Sequence, residues 1–151
     1  MQHCPTILVI AVVLNLLSAT ATAAGKPEHA VTYRQGIMSA MAWNVGPLGK
    51  MIKGDVTFDA ERFAFLAARA ALLAPMALEG FTPDTAEVKS EAKPELWTHM
   101  DDFKKRLKDL ETASAELAKV AKVGDEAKMR VQFGDTVKIC KGCHDEYQKK
   151  H

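Results

Sequence analysis

The chain has 151 residues, 48% of them apolar, which is enough to build one compact domain around a hydrophobic core. Its formal net charge of +1 and its lack of a long basic run leave no electrostatic footprint for binding nucleic acid. Alanine, leucine, lysine, glutamate and methionine are abundant and alternating β-branched clusters are scarce, so the composition favours helices over strands.

The N-terminal segment has the pattern of a secretory signal peptide. An apolar run over residues 6–17 is followed by small residues that end in A-T-A at 21–23, an A-x-A cleavage site. The run is shorter than the ~20 residues that a membrane-spanning helix needs, which argues against a permanent anchor. We therefore predict a signal peptide at residues 1–23 and a periplasmic mature domain at residues 24–151, without membrane attachment after cleavage.

Apolar periodicity predicts two helices in the first half of the mature chain. The first spans about 27–53, and the Gly46-Pro47 pair is expected to kink or interrupt it. The second begins after Asp59, a suitable N-cap, and Pro75 is expected to end or bend it.

Two further helices are predicted after a long connection over residues 80–93. The third begins at about Pro94, and Gly124 is suited to its C-terminal cap. Asp125 is suited to cap the fourth helix. The predicted core stripe of the fourth helix comprises Phe133, Val137, Cys140, His144 and Tyr147. Four helices of these lengths predict an all-α protein.

The stretch Cys140-Lys141-Gly142-Cys143-His144 carries the chemistry. C-x-x-C-H is the attachment pattern for a c-type haem, in which each cysteine sulfur adds to a porphyrin vinyl group and the histidine ligates the iron. A thioredoxin-like C-x-x-C belongs in a βαβ unit, which this sequence does not show. A structural zinc site needs about four ligands, and no second Cys/His cluster is present to complete one.

On a helix, Cys140, Cys143 and His144 share one face because they are spaced by three and four residues. This face coincides with the predicted core stripe. We therefore expect the haem to replace part of the bundle core and to pack against the first helix.

Three segments resemble one known family. The C-terminal C-K-G-C-H-D-E-Y, the Y-R-Q-G-I-M at 33–38 and the K-P-E-L-W at 93–97 are similar to cytochromes c′, the class II c-type cytochromes. The resemblance implies an up-down-up-down antiparallel four-helix bundle with one covalent haem c per chain, held in the core near the C-terminal helix. It also implies a homodimer built from helices one and two, whose outer surfaces carry Trp43, Phe58 and Phe65.

The resemblance implies a role for each residue of the site. Cys140 and Cys143 bear the thioethers, and His144 is the proximal iron ligand. Met38 lies over the open distal face without bonding the iron, which is then five-coordinate, high-spin and able to bind NO and CO. Arg34 pairs with a haem propionate.

The sequence around Arg34 leaves two alternatives for its side chain. An arginine on an apolar stripe needs a buried anionic partner, unless its long side chain extends to solvent.

The chain departs from the family pattern at Gln148, four residues after the proximal histidine, where the family usually has arginine or lysine. Glutamine donates a hydrogen bond there but carries no charge.

Two functional classes follow for a periplasmic haem protein. One is a module that binds small gases. The other is an electron carrier of the low-spin cytochrome c556 type, with the same bundle but with Met38 as a sixth haem ligand. The sequence does not indicate an enzyme, because no acid–base or nucleophile constellation accompanies the haem motif.

Overall fold

The computed structural model describes residues 25–150, so the predicted signal peptide at residues 1–23 lies outside the described part of the chain. The four long helices form the predicted four-helix bundle, in which α4 packs most extensively against α2 and α5. The α-helices are α1 (Pro27–Lys53), α2 (Ala60–Leu73), α3 (Glu95–Thr98), α4 (Met100–Val123) and α5 (Glu126–Tyr147). Two 3-10 turns, Ala74–Leu78 and Pro83–Thr85, lie between α2 and α3. Within residues 25–150, no helix is long and apolar enough to cross a membrane.

Local capping fixes the ends of the long helices where the sequence predicts them. The Asp59 and Asp125 carboxylates each accept a hydrogen bond from the backbone N–H three residues later, at 2.9 and 3.1 Å. Helices α1 and α4 end at Gly54 and Gly124, which have φ values of 81° and 85°. Glycine adopts this left-handed conformation without the steric penalty of a side chain.

The sequence predicts a kink or an interruption of α1 at Gly46-Pro47. The interruption is wrong, because α1 is one continuous helix through Pro47, and the kink stays a prediction. Proline removes one backbone donor, which destabilises the interior of a helix. Tertiary packing offsets this loss, since Asn44 and Leu48 on either side of Pro47 are almost completely buried.

The predicted third helix is divided at His99, whose backbone leaves the helical region with φ −118° and ψ 37°. The Thr98 hydroxyl donates to the Glu95 carbonyl at 3.0 Å, and the His99 ring also lies 3.0 Å from that oxygen. Such local side-chain bonds compete with a regular helix. Helix α3 is therefore a single turn, and the long helix begins at Met100.

The core consists of two clusters stacked along the bundle. The closed-end cluster is centred on fully buried side chains, and each fully buried leucine, phenylalanine or methionine stabilises the fold by roughly 1.5–3 kcal/mol. Its main members are Leu48, Met51, Phe63, Leu66, Ala67, Leu117, Met129 and Phe133. The cavity cluster lies at the other end. Its main members are Met41, Ala70, Leu96, Phe103, Leu107, Leu110, Cys143 and Tyr147.

The connecting segment, residues 79–94, is joined to the end of α5. Ala92 and Gln148 form an antiparallel bridge, and the Lys93 N–H donates to the Tyr147 carbonyl at 2.9 Å. Lys93 Nζ also donates to two of the last backbone carbonyls in α5, at 2.8 and 2.9 Å. A cation at a helix C-terminus complements the helix dipole. These bonds fix the connecting segment beside the cavity cluster.

Gly80 allows the connecting segment to approach α1 closely. A Cβ atom at this position would lie 2.5 Å from the Ala30 carbonyl oxygen and 2.8 Å from Arg34 Cβ. Contacts this short essentially never occur in folded proteins, so any larger residue must push the segment away from α1.

We expect Gly80→Ala to lower the free energy of unfolding by about 1–3 kcal/mol, the usual cost of forcing extra atoms into a packed site. Gly36→Ala is the matched control, because Gly36 lies within α1 and a Cβ added there would meet no atom within 4 Å. That control should be neutral or stabilising by up to about 1 kcal/mol. Urea unfolding followed by circular dichroism measures both. Equal stability of the two variants would contradict the close approach.

Candidate functional site

Helix α5 presents the C-x-x-C-H motif at one cavity. Cys143 is buried, Cys140 is half-buried and His144 is exposed, yet all three side chains border the same cavity. Both cysteines are free thiols. The helical spacing therefore brings two sulfurs and one imidazole together as the sequence predicts.

The predicted core stripe of α5 is correct except at Val137 and His144. Val137 is 36% exposed, and the neighbouring Thr136 takes the buried position at 3%. Thr136 is tolerated there because its hydroxyl donates to the Gln132 carbonyl at 2.8 Å. Nothing in the apolar periodicity distinguishes a satisfied threonine from a surface residue.

The cavity has a volume of about 670 Å³ and is lined mostly by apolar side chains. Helix α1 contributes Met38, Met41 and Val45 to its wall, and α4 contributes Leu107 and Leu110. Protein cores are close-packed and contain few voids larger than a water molecule. A space of this size falls in the range of small-molecule and cofactor sites.

Both thiols are held in the neutral form. Burial raises the pKa of the Cys140 thiol above its ordinary value. Burial also raises the pKa of Cys143 to about 11, although the nearby Arg106 guanidinium opposes this shift. Before haem attachment both groups are therefore protonated at neutral pH, and a neutral thiol is a poor metal ligand and a poor target for oxidants.

Arg34 is a buried cation in the cavity wall, with 3% of its surface exposed. Its guanidinium donates to the Gly80 carbonyl at 3.0 Å and to the hydroxyls of Thr85 and Ser90, each at 2.9 Å. It also lies 4.4 Å from the centre of the Phe81 ring. The alternative that Arg34 extends to solvent is therefore wrong.

The hydrogen-bond partners of Arg34 within residues 25–150 are all neutral. Among residues 25–150, no carboxylate lies within ion-pair distance of its guanidinium. Burial lowers the pKa of Arg34, but arginine remains protonated in proteins. A buried positive charge at the cavity edge favours an anionic group in the cavity.

Met38 lies on the α1 wall of the cavity and is half-buried. His144 belongs to the α5 wall of the same cavity. The two side chains are therefore available to one ligand from two different helices. Gln148 also borders the cavity, and its backbone N–H donates to the His144 carbonyl at 3.0 Å, which ends α5.

A polar network behind the motif was not predicted from the sequence. The Asp102 carboxylate accepts hydrogen bonds from the Tyr147 hydroxyl at 2.6 Å and from Arg106 Nε at 2.5 Å. The Tyr147 hydroxyl and Arg106 hold the pKa of Asp102 below its usual range. Asp102 and Arg106 are four residues apart, a local signal for an ion pair, but the Tyr147 contact joins α4 to α5 and has no local signal.

Comparison with known proteins identifies the family. A family model described as Cytochrome C' matches residues 29–148. The chain belongs to the cytochrome c′ family. A cytochrome c' from Halomonas halodenitrificans is 36% identical over 129 residues, which cover 82% of this chain and 98% of that protein. A cytochrome c-554 from Cereibacter sphaeroides is 34% identical, with 82% of this chain and 95% of that protein covered.

Solved structures of cytochromes c′ have the same fold. The protein from Shewanella frigidimarina superposes with a TM-score of 0.80 at 35% identity, covering 82% of this chain and 97% of that chain. A nitric oxide complex of a cytochrome c prime variant from Alcaligenes xylosoxidans has a TM-score of 0.78 at 33% identity, covering 84% of this chain and 98% of that chain.

Membership of this family makes the cofactor a covalently attached haem c. The residues of the cavity fit that group. Two free thiols and an imidazole border a large apolar cavity, and a buried cation without an anionic partner among the described residues stands at its edge. A porphyrin needs an apolar space for its ring, a ligand for its iron and compensation for its propionates.

The Tyr147 hydroxyl yields a prediction for alkaline pH. Burial and the Asp102 carboxylate raise the pKa of Tyr147 to about 12, whereas tyrosine in an unfolded chain has a pKa of about 10. The folded protein therefore binds this proton more tightly. The contribution of Tyr147 to the free energy of unfolding is fully present below about pH 10 and is lost as the pH rises through about 12.

We expect the free energy of unfolding of Tyr147→Phe to fall less steeply with pH than that of the wild type between about pH 10 and about pH 12. Urea unfolding at stepped pH measures this difference. Tyr33→Phe is the control, because Tyr33 is exposed and its bond to Glu79 is screened by solvent. Parallel loss of stability in the wild type and Tyr147→Phe would show that the buried hydroxyl is not linked to folding.

Proposed function

We propose that this chain is a periplasmic haem protein whose haem iron is five-coordinate and high-spin and binds NO and CO. The observation that carries the proposal is the composition of the cavity wall. Among its described lining residues, His144 is the only imidazole, and the α1 wall offers two weak thioethers, Met38 and Met41. One strong axial ligand leaves the other iron face open to small gases.

The motif residues on α5 hold the group by two kinds of bond. Cys140 and Cys143 carry the thioether links, and His144 provides the proximal nitrogen. The bound haem supplies an iron that binds gases and exchanges one electron. Because the three side chains lie on one short stretch of α5, slightly longer than one helical turn, their relative positions are set by the helix backbone and do not depend on a loop.

Arg34 is proposed to compensate a haem propionate. Its guanidinium is already oriented by Gly80, Thr85 and Ser90, so little side-chain entropy is lost when an anion binds. Arginine can retain these neutral acceptors and still interact with a carboxylate, because it has five N–H donors.

Met38 is proposed to cover the distal face without a permanent iron bond. A thioether side chain is flexible and has three rotatable bonds, so an entering gas can displace it at low cost. The relative from Alcaligenes xylosoxidans has been solved, as a variant, in complex with nitric oxide. Similarity to that protein supports gas binding by this chain.

The signal-peptide pattern at residues 1–23 supports export, with residues 24–151 as the mature domain.

The second candidate function is one-electron transfer by a low-spin haem with Met38 as sixth ligand. The observation favouring it is the position of Met38 in the cavity wall, where its sulfur is available to an iron.

Covalent attachment gives the first prediction of this proposal. Acid–acetone extraction should leave haem on the wild-type polypeptide, and denaturing mass spectrometry should show the added mass. Cys140→Ala with Cys143→Ala should yield little holoprotein and a less stable bundle, because the cavity is then unfilled. Lys141→Ala, which keeps the C-x-x-C-H pattern, should behave as wild type. Quantitative release of haem from the wild type would overturn the assignment.

We expect Met38→Ala to speed CO binding to the ferrous protein by roughly tenfold, equivalent to about 1.4 kcal/mol of barrier. Flash photolysis or stopped flow measures the association rate. Met100→Ala is the matched control, since Met100 packs against the cavity cluster but does not border the cavity. An unchanged rate in Met38→Ala would contradict the proposed distal role.

A homodimer built from α1 and α2 is proposed. Trp43 on α1 is 76% exposed, and Phe65 and Leu72 on α2 are 51% and 71% exposed. Phe58, expected on this surface from the sequence, instead packs 5.5 Å from Phe63, measured between ring centres. Large exposed apolar side chains on two neighbouring helices are candidates for an interaction surface.

Light scattering of the holoprotein at high micromolar concentration should give the dimer mass. Trp43→Glu should shift the protein to monomer, whereas Val131→Glu, on a similarly exposed site of α5, should not. A monomeric wild type under these conditions would refute the dimer.

A further inference from the structure

Two fully buried polar side chains are left with unmet hydrogen-bonding capacity. Asn44 on α1 and Ser114 on α4 are each 1% exposed. Asn44 Nδ2 donates to the Ala40 carbonyl at 2.7 Å. Asn44 Oδ1 and Ser114 Oγ have no hydrogen-bond partner among the described residues. Buried polar atoms are rarely left unpaired in folded proteins, because their desolvation is then uncompensated.

On α1, Asn44 occupies the boundary between the two core clusters. Met41, one turn before it, belongs to the cavity cluster, and Leu48, one turn after it, belongs to the closed-end cluster. Asn44 therefore lies at the level where the haem cavity ends, although its own side chain does not line the cavity.

On α4, Ser114 occupies the equivalent boundary. Leu110 belongs to the cavity cluster and Leu117 to the closed-end cluster. Since α1 and α4 pass from one cluster to the other in the same direction, Asn44 and Ser114 lie at the same level of the bundle.

Helix α2 presents only small side chains at this level. Its residues at the boundary are Ala67, in the closed-end cluster, and Ala70, in the cavity cluster. On α5 the boundary residue is Thr136, whose hydroxyl is already bonded to the Gln132 carbonyl. Only the oxygens of Asn44 and Ser114 in this layer lack a partner within the described chain.

Neither rotation of the amide nor the haem provides that partner. Exchanging the Asn44 oxygen and nitrogen would set an oxygen against the Ala40 carbonyl and lose the bond at 2.7 Å. The two unpaired oxygens have essentially no accessible surface, and neither residue lines the cavity. A group bound in the cavity therefore does not reach them.

We infer that an ordered water molecule is buried in this layer and bridges Asn44 Oδ1 and Ser114 Oγ. The water donates to the amide oxygen and accepts from the serine hydroxyl. Internal waters typically occupy sites of this kind, where polar groups of the protein would otherwise be unsatisfied. The bridge links α1 and α4 across the bundle at the inner end of the haem cavity.

A crystal structure of the holoprotein at a resolution that shows ordered waters tests the inference directly. A density peak within hydrogen-bond distance of both oxygens is expected. A direct bond from Ser114 to Asn44, or density showing no water between them, would overturn it. The same structure of Ser114→Ala should show the peak lost or displaced.

A double-mutant cycle in the holoprotein gives an independent readout. Asn44→Leu and Ser114→Ala should each lower the thermal midpoint by several degrees, because each leaves the opposite group unpaired. The double variant should lose clearly less than the sum of the two singles. Asn44→Leu combined with Thr136→Val is the matched control and should be additive, since Thr136 has its own partners. Additivity of Asn44 and Ser114 would contradict the bridge.

Discussion

Cysteines at i and i+3 and a histidine at i+4 lie on one face of a helix. One planar group can bond all three only if the space in front of that face is open. Helix α5 meets this requirement because the rest of the bundle does not fill the cavity between α1, α4 and the connecting segment. The closed-end cluster, which includes the fully buried Leu48, Phe63 and Met129, packs the helices together at the end away from the cavity. The haem end of the core is therefore completed by the cofactor, and the other end by side chains.

The second constraint is a positive charge in an apolar wall. Arg34 is buried among three neutral oxygens, from Gly80, Thr85 and Ser90, all on the connecting segment. Gly80 permits this because only a residue without a Cβ fits against α1. The same segment is bridged at Ala92 to the end of α5. One stretch of irregular chain thus orients the buried cation and borders the helix that carries the motif.

Features encoded by neighbouring residues could be predicted from the sequence, including the ends of α1, the caps at Asp59 and Asp125, and the haem motif. Features that depend on distant residues could not. The break at His99 arises from side-chain bonds that compete with the helix, and the buried Thr136 is accepted because its own helix satisfies it. The partners of Arg34 lie more than forty residues away, so no periodicity indicates them.

We propose that His144 is the only strong axial ligand and that α1 covers the other iron face without bonding it. The coordination number of the ferric iron tests this claim most directly, through the absorption and electron paramagnetic resonance spectra of the purified holoprotein. We predict a high-spin ferric signal of a five-coordinate haem. A low-spin signal with a methionine-to-iron charge-transfer band would contradict the account and would establish the electron-carrier alternative.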